Sequence, residues 1–272
     1  LIEEFRPPVV LIAGGRPSQA RTLEALGIDV FLHVPSAPLL EMFLKEGARH
    51  FVFEGRECGG HVGPRASLPL WQSQLDVLRE QKDLDGVRVL FAGGIHDSRS
   101  SACIAAMASD VVDRGAQVGV LMGTAYLFTE EARETGAIGE FYQQSVMDCE
   151  KTALLETAPG HATRCVRTPY VGAFESERAR LEEAGTSASE VWESLEKMNL
   201  GRLRIASKGV ERKGTELQSV SGERQREEGM VMVGQVATMR HDLLSMCTST
   251  LQRGSGLCQS HGPSHQEHGS WG

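Results

Sequence analysis

Apolar residues in the first half of the chain come in short runs, most of them closed by glycine and each followed by a segment of helical periodicity. Pro8 to Ala13 (PVVLIA) ends in Gly14-Gly15, and Pro17-Ser18 then opens a helix through Ala20, Leu23 and Leu26 to Gly27. Runs without polar interruption predict strands buried on both faces. Proline near the start and glycine at the end of the next segment predict the limits of a helix. The unit recurs at Asp29 to Val34, with a helix from Pro35-Ser36 through Leu39, Leu40 and Phe43 to Gly47. It recurs again at Arg49 to Phe53, followed by a helix over Leu68 to Gln81. Val87 to Ala92 is followed by a helix through Ala102, Ile104 and Met107, and Gln117 to Met122 by one through Leu127 to Arg133. Alternating units of this kind predict an α/β fold with parallel strands joined by right-handed crossovers, either a doubly wound sheet or a (β/α)8 barrel.

The loops that close three of these strands carry the candidate chemistry. After Phe53 the chain reads Glu54-Gly55-Arg56-Glu57-Cys58-Gly59-Gly60-His61, where paired glycines allow close backbone approach to a flat ligand and hold an imidazole beside it. His61 can take or give a proton near neutral pH. Ala92-Gly93-Gly94 and Met122-Gly123-Thr124 then end two consecutive strands, which is how a barrel builds its phosphate site. Backbone N–H groups there can hold a dianion without lysine or arginine, and the Thr124 hydroxyl would add a donor. No G-x-G-x-x-G follows a strand, which counts against a dinucleotide-binding doubly wound sheet.

Composition narrows the setting. A chain of 272 residues, 40% hydrophobic and 24% charged, can bury a substantial core. The formal charge of -8 gives no reason to expect a nucleic-acid partner. Six cysteines (58, 103, 149, 165, 247 and 258) show no CxxC spacing. With no signal peptide and no long apolar run, they predict a reducing cytoplasmic setting and no membrane partner.

The segments EGRECGGHVG, FAGGIHD and VLMGTAYLFTEEA, within Pro8 to Ala132, resemble the nitronate monooxygenase family, formerly called 2-nitropropane dioxygenases. That family includes flavin-dependent enoyl-acyl-carrier-protein reductases. Glu228 to Val236 (EGMVMVGQV) is similar to the Gly-Gln segment that closes these enzymes. RPPVVLIAGGRPSQ and TAPGHATRC look most similar to variants associated with polyketide and polyunsaturated fatty acid synthases. The resemblance implies an FMN-binding TIM barrel of which this chain carries the five C-terminal βα units, its N-terminal strands missing. It further implies Gly93, Gly94, Gly123 and Thr124 at the flavin phosphate, Gly59 and Gly60 against the ring, Ala92 as a further cofactor-binding residue, and His61 as the catalytic histidine. No metal is implied. Cys58 reads as a small packing residue beside the flavin.

The implied activity is FMN-dependent oxidation of nitronates or nitroalkanes with O2. One alternative is reduction of an enoyl thioester within a polyketide or fatty acid synthase, with acyl carrier protein or other synthase domains as partners. A second is a non-catalytic barrel remnant serving as an interaction module. The domain reading is a partial barrel over 1–140, a helical and irregular extension with the Gly-Gln segment over 141–246, and a Gly/Ser/His-rich tail over 247–272. Within the extension, 176–198 reads as one amphipathic helix, 208–228 as an exposed loop or insertion, and His161 as a loop or capping histidine. Cys258, His261, His265 and His268 fall in the tail and are assigned no function. Two strand edges are expected to stay open, leaving Val9, Leu11, Ile12, Val118, Val120 and Leu121 short of neighbours and the isolated chain poorly soluble or flavin-poor.

Overall fold

The apolar runs form one parallel sheet whose strand order follows the chain order. In this computed structural model, which describes residues 2–246, a helical turn α1 (Ile2–Phe5) leads into β1 (Val9–Ile12). The sheet continues with β2 (Asp29–His33), β3 (His50–Glu54), β5 (Arg88–Ala92) and β6 (Gln117–Leu121), every pair parallel. Between β3 and β5 the short strand β4 (Gly60–Val62) leaves this sheet. The crossovers are α2 (Pro17–Glu24), α3 (Ala37–Lys45), α4 (Ser67–Glu80), and the pair α5 (Ser98–Met107) and α6 (Ser109–Asp113).

Strand alternation divides the apolar side chains between two faces. Val30, Leu32, Phe51, Phe53, Val89 and Phe91 pack against Leu40, Phe43, Leu75, Leu78 and Val111 of the crossover helices. Phe31, Val52 and Ala92 cluster on the opposite face. Burial on both faces is why the strands read as unbroken apolar runs. Trp71 Nε1 donates to Phe53 O at 3.0 Å and Gln74 Nε2 to Val34 O at 2.5 Å, fixing α4 to the ends of β3 and β2. β1 and β6 each have one neighbour in this sheet, and Val9 and Leu11 are 47% and 44% exposed.

α5 begins at an N-cap that sequence propensity favours. The Asp97 carboxylate accepts from Ser100 N–H at 2.9 Å and from its hydroxyl at 2.7 Å. Burial opposes ionisation of Asp97, but the Ser100 bonds outweigh it and hold the carboxyl below its usual range. A depressed folded-state pKa contributes stability that is present above the ordinary aspartate value and is lost as pH falls through the folded value. Asp97→Ala should therefore cost about 1 kcal/mol at neutral pH. The urea midpoints of parent and variant should converge on acidification.

After β6 come a 3-10 turn (Thr124–Phe128), α7 (Glu130–Glu134) and α8 (Glu140–Met147). The next segment is more regular than its sequence suggested, because β7 (Thr152–Ala158) and β8 (His161–Val166) form an antiparallel hairpin that also pairs with β4. A boundary at residue 140 is thus bridged by main-chain hydrogen bonds between Gly60–Val62 and Ala162–Arg164. The single helix expected over 176–198 is two, α9 (Pro169–Glu183) and α10 (Ala188–Asn199), broken at Gly185 with φ +69°. α11 (Arg202–Lys208) follows, and 208–228 is an exposed hairpin, β9 (Val210–Lys213) and β10 (Glu216–Ser219), plus α12 (Gly222–Glu228). The Gly-Gln segment gives a 3-10 turn (Gln235–Thr238) and then irregular chain. The tail cysteine and histidines lie outside the described residues. Among the described residues no helix is long and apolar enough to cross a membrane.

Candidate active site

Three loops at the C-terminal ends of β3, β5 and β6 converge, and the segment Met230–Val236 closes over them. Gly59, Gly60, Ala92, Gly93, Gly94, Gly123 and Thr124 line one cleft of about 410 Å³, together with Glu54, Glu57, Cys58, Tyr142 and Met232. The closing segment is anchored by buried Val231 and Val233 and by polar contacts to each side. Gly234 N–H donates to Thr124 Oγ1 at 2.8 Å, Gln235 N–H to Glu57 O at 2.9 Å, and the Tyr142 hydroxyl to Met232 O at 2.6 Å. Thr124 thus spends an acceptor lone pair on Gly234 and keeps its hydroxyl proton for another partner.

The glycines are glycine for different reasons. A Cβ on Gly59 would lie 2.5 Å from Val233 C and 2.7 Å from Gly234 N, so its small size serves packing of the closing segment. Gly93 and Gly94 sit at φ +103° and +84°, where a side chain is strained. Only at Gly123, of the cleft glycines, would a Cβ meet nothing within 4 Å. No protein acceptor among the described residues meets the backbone N–H of Gly94 or Gly123. No lysine or arginine lines the cleft. Free N–H groups at the ends of adjacent parallel strands suit the phosphate of a bound cofactor.

His61 lies outside this cleft. Alternation along β4 buries Gly60 and Val62 and turns His61 outward, into a neighbouring chamber of about 690 Å³. His33, at the end of β2, and Glu54, at the end of β3, line the same chamber, and His33 Nδ1 is 3.2 Å from Glu54 Oε2. Glu54 lines both cavities and marks their junction. Val34, Pro35, Leu39 and Phe43 give the chamber an apolar wall. His161 also lines it and packs at a tilt against Trp192 of α10, with ring centroids 5.3 Å apart.

Sequence spacing gave no sign of His33, Glu54 or His161 as a group. His33 and Glu54 could have been found from their position as the last residues of adjacent strands, where barrels place reactive groups. His161 depends on the β4–β8 pairing, which no local pattern encodes.

Behind the loop, buried Arg164 of β8 donates through Nε and Nη2 to Arg56 O at 3.1 and 2.9 Å, and through Nη1 to Thr152 Oγ1 at 2.8 Å. That clamp ties the Glu54–Gly60 loop to the hairpin. Burial, followed by the charge of Glu54, pushes the Cys58 thiol well above its usual range, so it stays protonated. Burial also pushes Cys165 up to about 12, whereas Cys103 is exposed. An alkylating reagent at neutral pH should label Cys103 at least about tenfold faster than Cys58. Peptide mapping that finds equal rates would refute this placement of Cys58. Among the described residues no group of three or more His, Cys, Asp or Glu side chains could hold a metal ion.

The profile of the nitronate monooxygenase family matches residues 1–247. The (3aS,4S,5R,7aS)-5-hydroxy-7a-methyl-1-oxo-octahydro-1H-indene-4-carboxyl-CoA dehydrogenase of Mycobacterium tuberculosis is 33% identical over 135 residues, covering 49% of this chain and 34% of its own. The protein of the same name from Rhodococcus jostii is 28% identical over 154 residues, covering 56% of this chain and 38% of its own. The match therefore spans little more than a third of either relative. Among solved structures, FabK from Thermotoga maritima aligns over 90% of this chain and 66% of its own with 26% identity and a TM-score of 0.63. The nitroalkane oxidase of Streptomyces ansochromogenes aligns over 90% of this chain and 62% of its own with 18% identity and a TM-score of 0.53, a likeness of fold. With its parallel sheet, its converging glycine loops and a family match over its whole described length, the chain belongs to the nitronate monooxygenase family.

Proposed function

We propose that this chain forms the flavin-phosphate cradle and proton-handling wall of an FMN-dependent oxidoreductase that oxidises nitronates or nitroalkanes with O2. The convergence of Gly93-Gly94 and Gly123-Thr124 on one cleft, beside a chamber lined by His61, carries this reading. Gly93, Gly94, Gly123 and Thr124 would hold the phosphate through N–H groups and a hydroxyl, with Ala92, Gly59 and Gly60 along the ring. The bound flavin supplies the redox chemistry. The chain supplies orientation and proton traffic: His61, on a strand fixed by the β8 hairpin, takes the proton next to a nitro group, and the apolar wall limits water.

A second reading is reduction of an enoyl thioester, the flavin-bearing site and His61 being shared. It is favoured by the CoA-ester dehydrogenases among the relatives and by the apolar wall of Val34, Leu39 and Phe43, which suits an acyl chain. Acyl carrier protein or other synthase domains would then be partners. The protein carrying this chain should be yellow with a flavin spectrum; a colourless protein that takes up no added FMN would leave only the non-catalytic remnant. Oxygen uptake driven by a nitronate, set against NAD(P)H oxidation driven by an enoyl thioester, separates the two enzymatic readings.

A further inference from the structure

We propose that Glu54 sets the charge preference of the site, favouring a neutral substrate over an anionic one. This rests on the reading above, that flavin occupies the cleft and substrate the chamber. A substrate that touches both must pass its reacting carbon through their junction, and Glu54 lines each side of it.

The strand register builds this position. His33 pairs with Val52 across β2 and β3, so Glu54, two residues further on, shares the face of His33 and reaches it at 3.2 Å. Both side chains are half-buried, at 27% and 26% exposure, so a charge here is less screened than on open surface. Glu57, also on the cleft, is engaged by Ser67, whose N–H and hydroxyl both donate to Glu57 Oε2.

The charged neighbours do not cancel Glu54 for an incoming anion. The cleft lining holds two carboxylates, Glu54 and Glu57, and no lysine or arginine. In the chamber the lining cation outside the histidines is Arg16, on the loop after β1, accompanied by Glu46. Arg164 is spent behind the loop on Arg56 O and Thr152. Cys58 beside Glu54 is a neutral thiol. His33, His61 and His161 are the groups left to offset the carboxylate, and only His33 is in direct contact with it. A nitronate anion at the junction would therefore face the Glu54 carboxylate, whereas a neutral nitroalkane or enoyl thioester would not be repelled.

The test compares two substrates on one flavin-loaded protein. In Glu54→Gln, whose amide oxygen can still accept from His33, the ratio of kcat/KM for a nitronate to that for its neutral nitroalkane should rise by about tenfold or more, the scale of one charge a few ångströms away. In His33→Gln, which leaves Glu54 without its imidazole, the ratio should fall. A short alkanoate, followed by perturbation of flavin absorbance, should bind E54Q more tightly than the parent while the matching amide binds both alike. Unchanged ratios and alkanoate affinities in flavin-replete E54Q would overturn charge selection while leaving the flavin site intact. A loss confined to the nitroalkane would overturn it too, and would mean that Glu54 moves the proton. A parent protein that binds no flavin would overturn the proposal together with the reading beneath it.

Discussion

A Gly123→Val protein is expected to fold as the parent does and to purify with little or no flavin. The position singles itself out among the cleft glycines. Gly123 has φ −110°, which any residue adopts, and a Cβ there meets no atom within 4 Å. Gly94, by contrast, sits at φ +84°, where a β-branched residue adds strain of about 1–3 kcal/mol, so a valine there confounds lost binding with lost stability. Gly59 is worse, since its Cβ would enter the main chain at Val233 and Gly234. At Gly123, which lines the cleft, the new side chain meets open space next to the N–H groups assigned to the phosphate. The thermal midpoint should move by no more than about 2 °C, as for a surface substitution on a domain of this size. FMN affinity should fall at least about hundredfold, the loss of several charge-assisted hydrogen bonds. Stoichiometric FMN in this variant, by absorbance after gel filtration, would remove the phosphate assignment.

The parallel sheet was legible because its signal is local. Runs such as Val30 to Leu32 and Phe51 to Phe53 are apolar at every position, which burial on both faces explains, and a proline or glycine follows each within three residues. The same locality made the three glycine loops legible as one cleft, since consecutive parallel strands bring their C-terminal ends together by topology. Beyond Phe141 the sheet pattern changes to alternation, with Ala153, Leu155 and Thr157 buried and their neighbours less so. That period of two, followed by Pro159-Gly160, was a hairpin signal in the sequence. It was outweighed by the polar residues interspersed through the stretch, such as Glu156, His161, Thr163 and Arg164.

What lay beyond reach were the consequences of long-range register. The pairing of Gly60 with Arg164 fixes which way His61 points, and so moves it from the glycine cleft into the adjoining chamber. The same pairing brings His161 to that chamber from a hundred residues away. Gly59 was readable as a glycine that must be there, but its reason, the Val233–Gly234 backbone against it, belongs to a segment far along the chain. Local sequence thus revealed which loops meet, while tertiary pairing decided which side chains share a cavity.

His61→Ala should separate binding from proton transfer, because the imidazole lines the chamber and not the cofactor cleft. Its side chain points outward from β4, where Gly60 and Val62 carry the burial, so truncation should change stability by no more than about 0.5 kcal/mol. FMN content should stay at the parent value. Turnover of a neutral nitroalkane, which must lose a proton from carbon before it can be oxidised, should fall by about hundredfold or more, the usual contribution of a general base. A nitronate prepared in alkali and added in its ionised form has already lost that proton. Its turnover should fall much less, and the ratio of the two losses measures the base contribution alone. Both rates are to be followed as initial oxygen uptake before the nitronate reprotonates. Equal losses on the two substrates would show that His61 positions the substrate and that the proton leaves by another route.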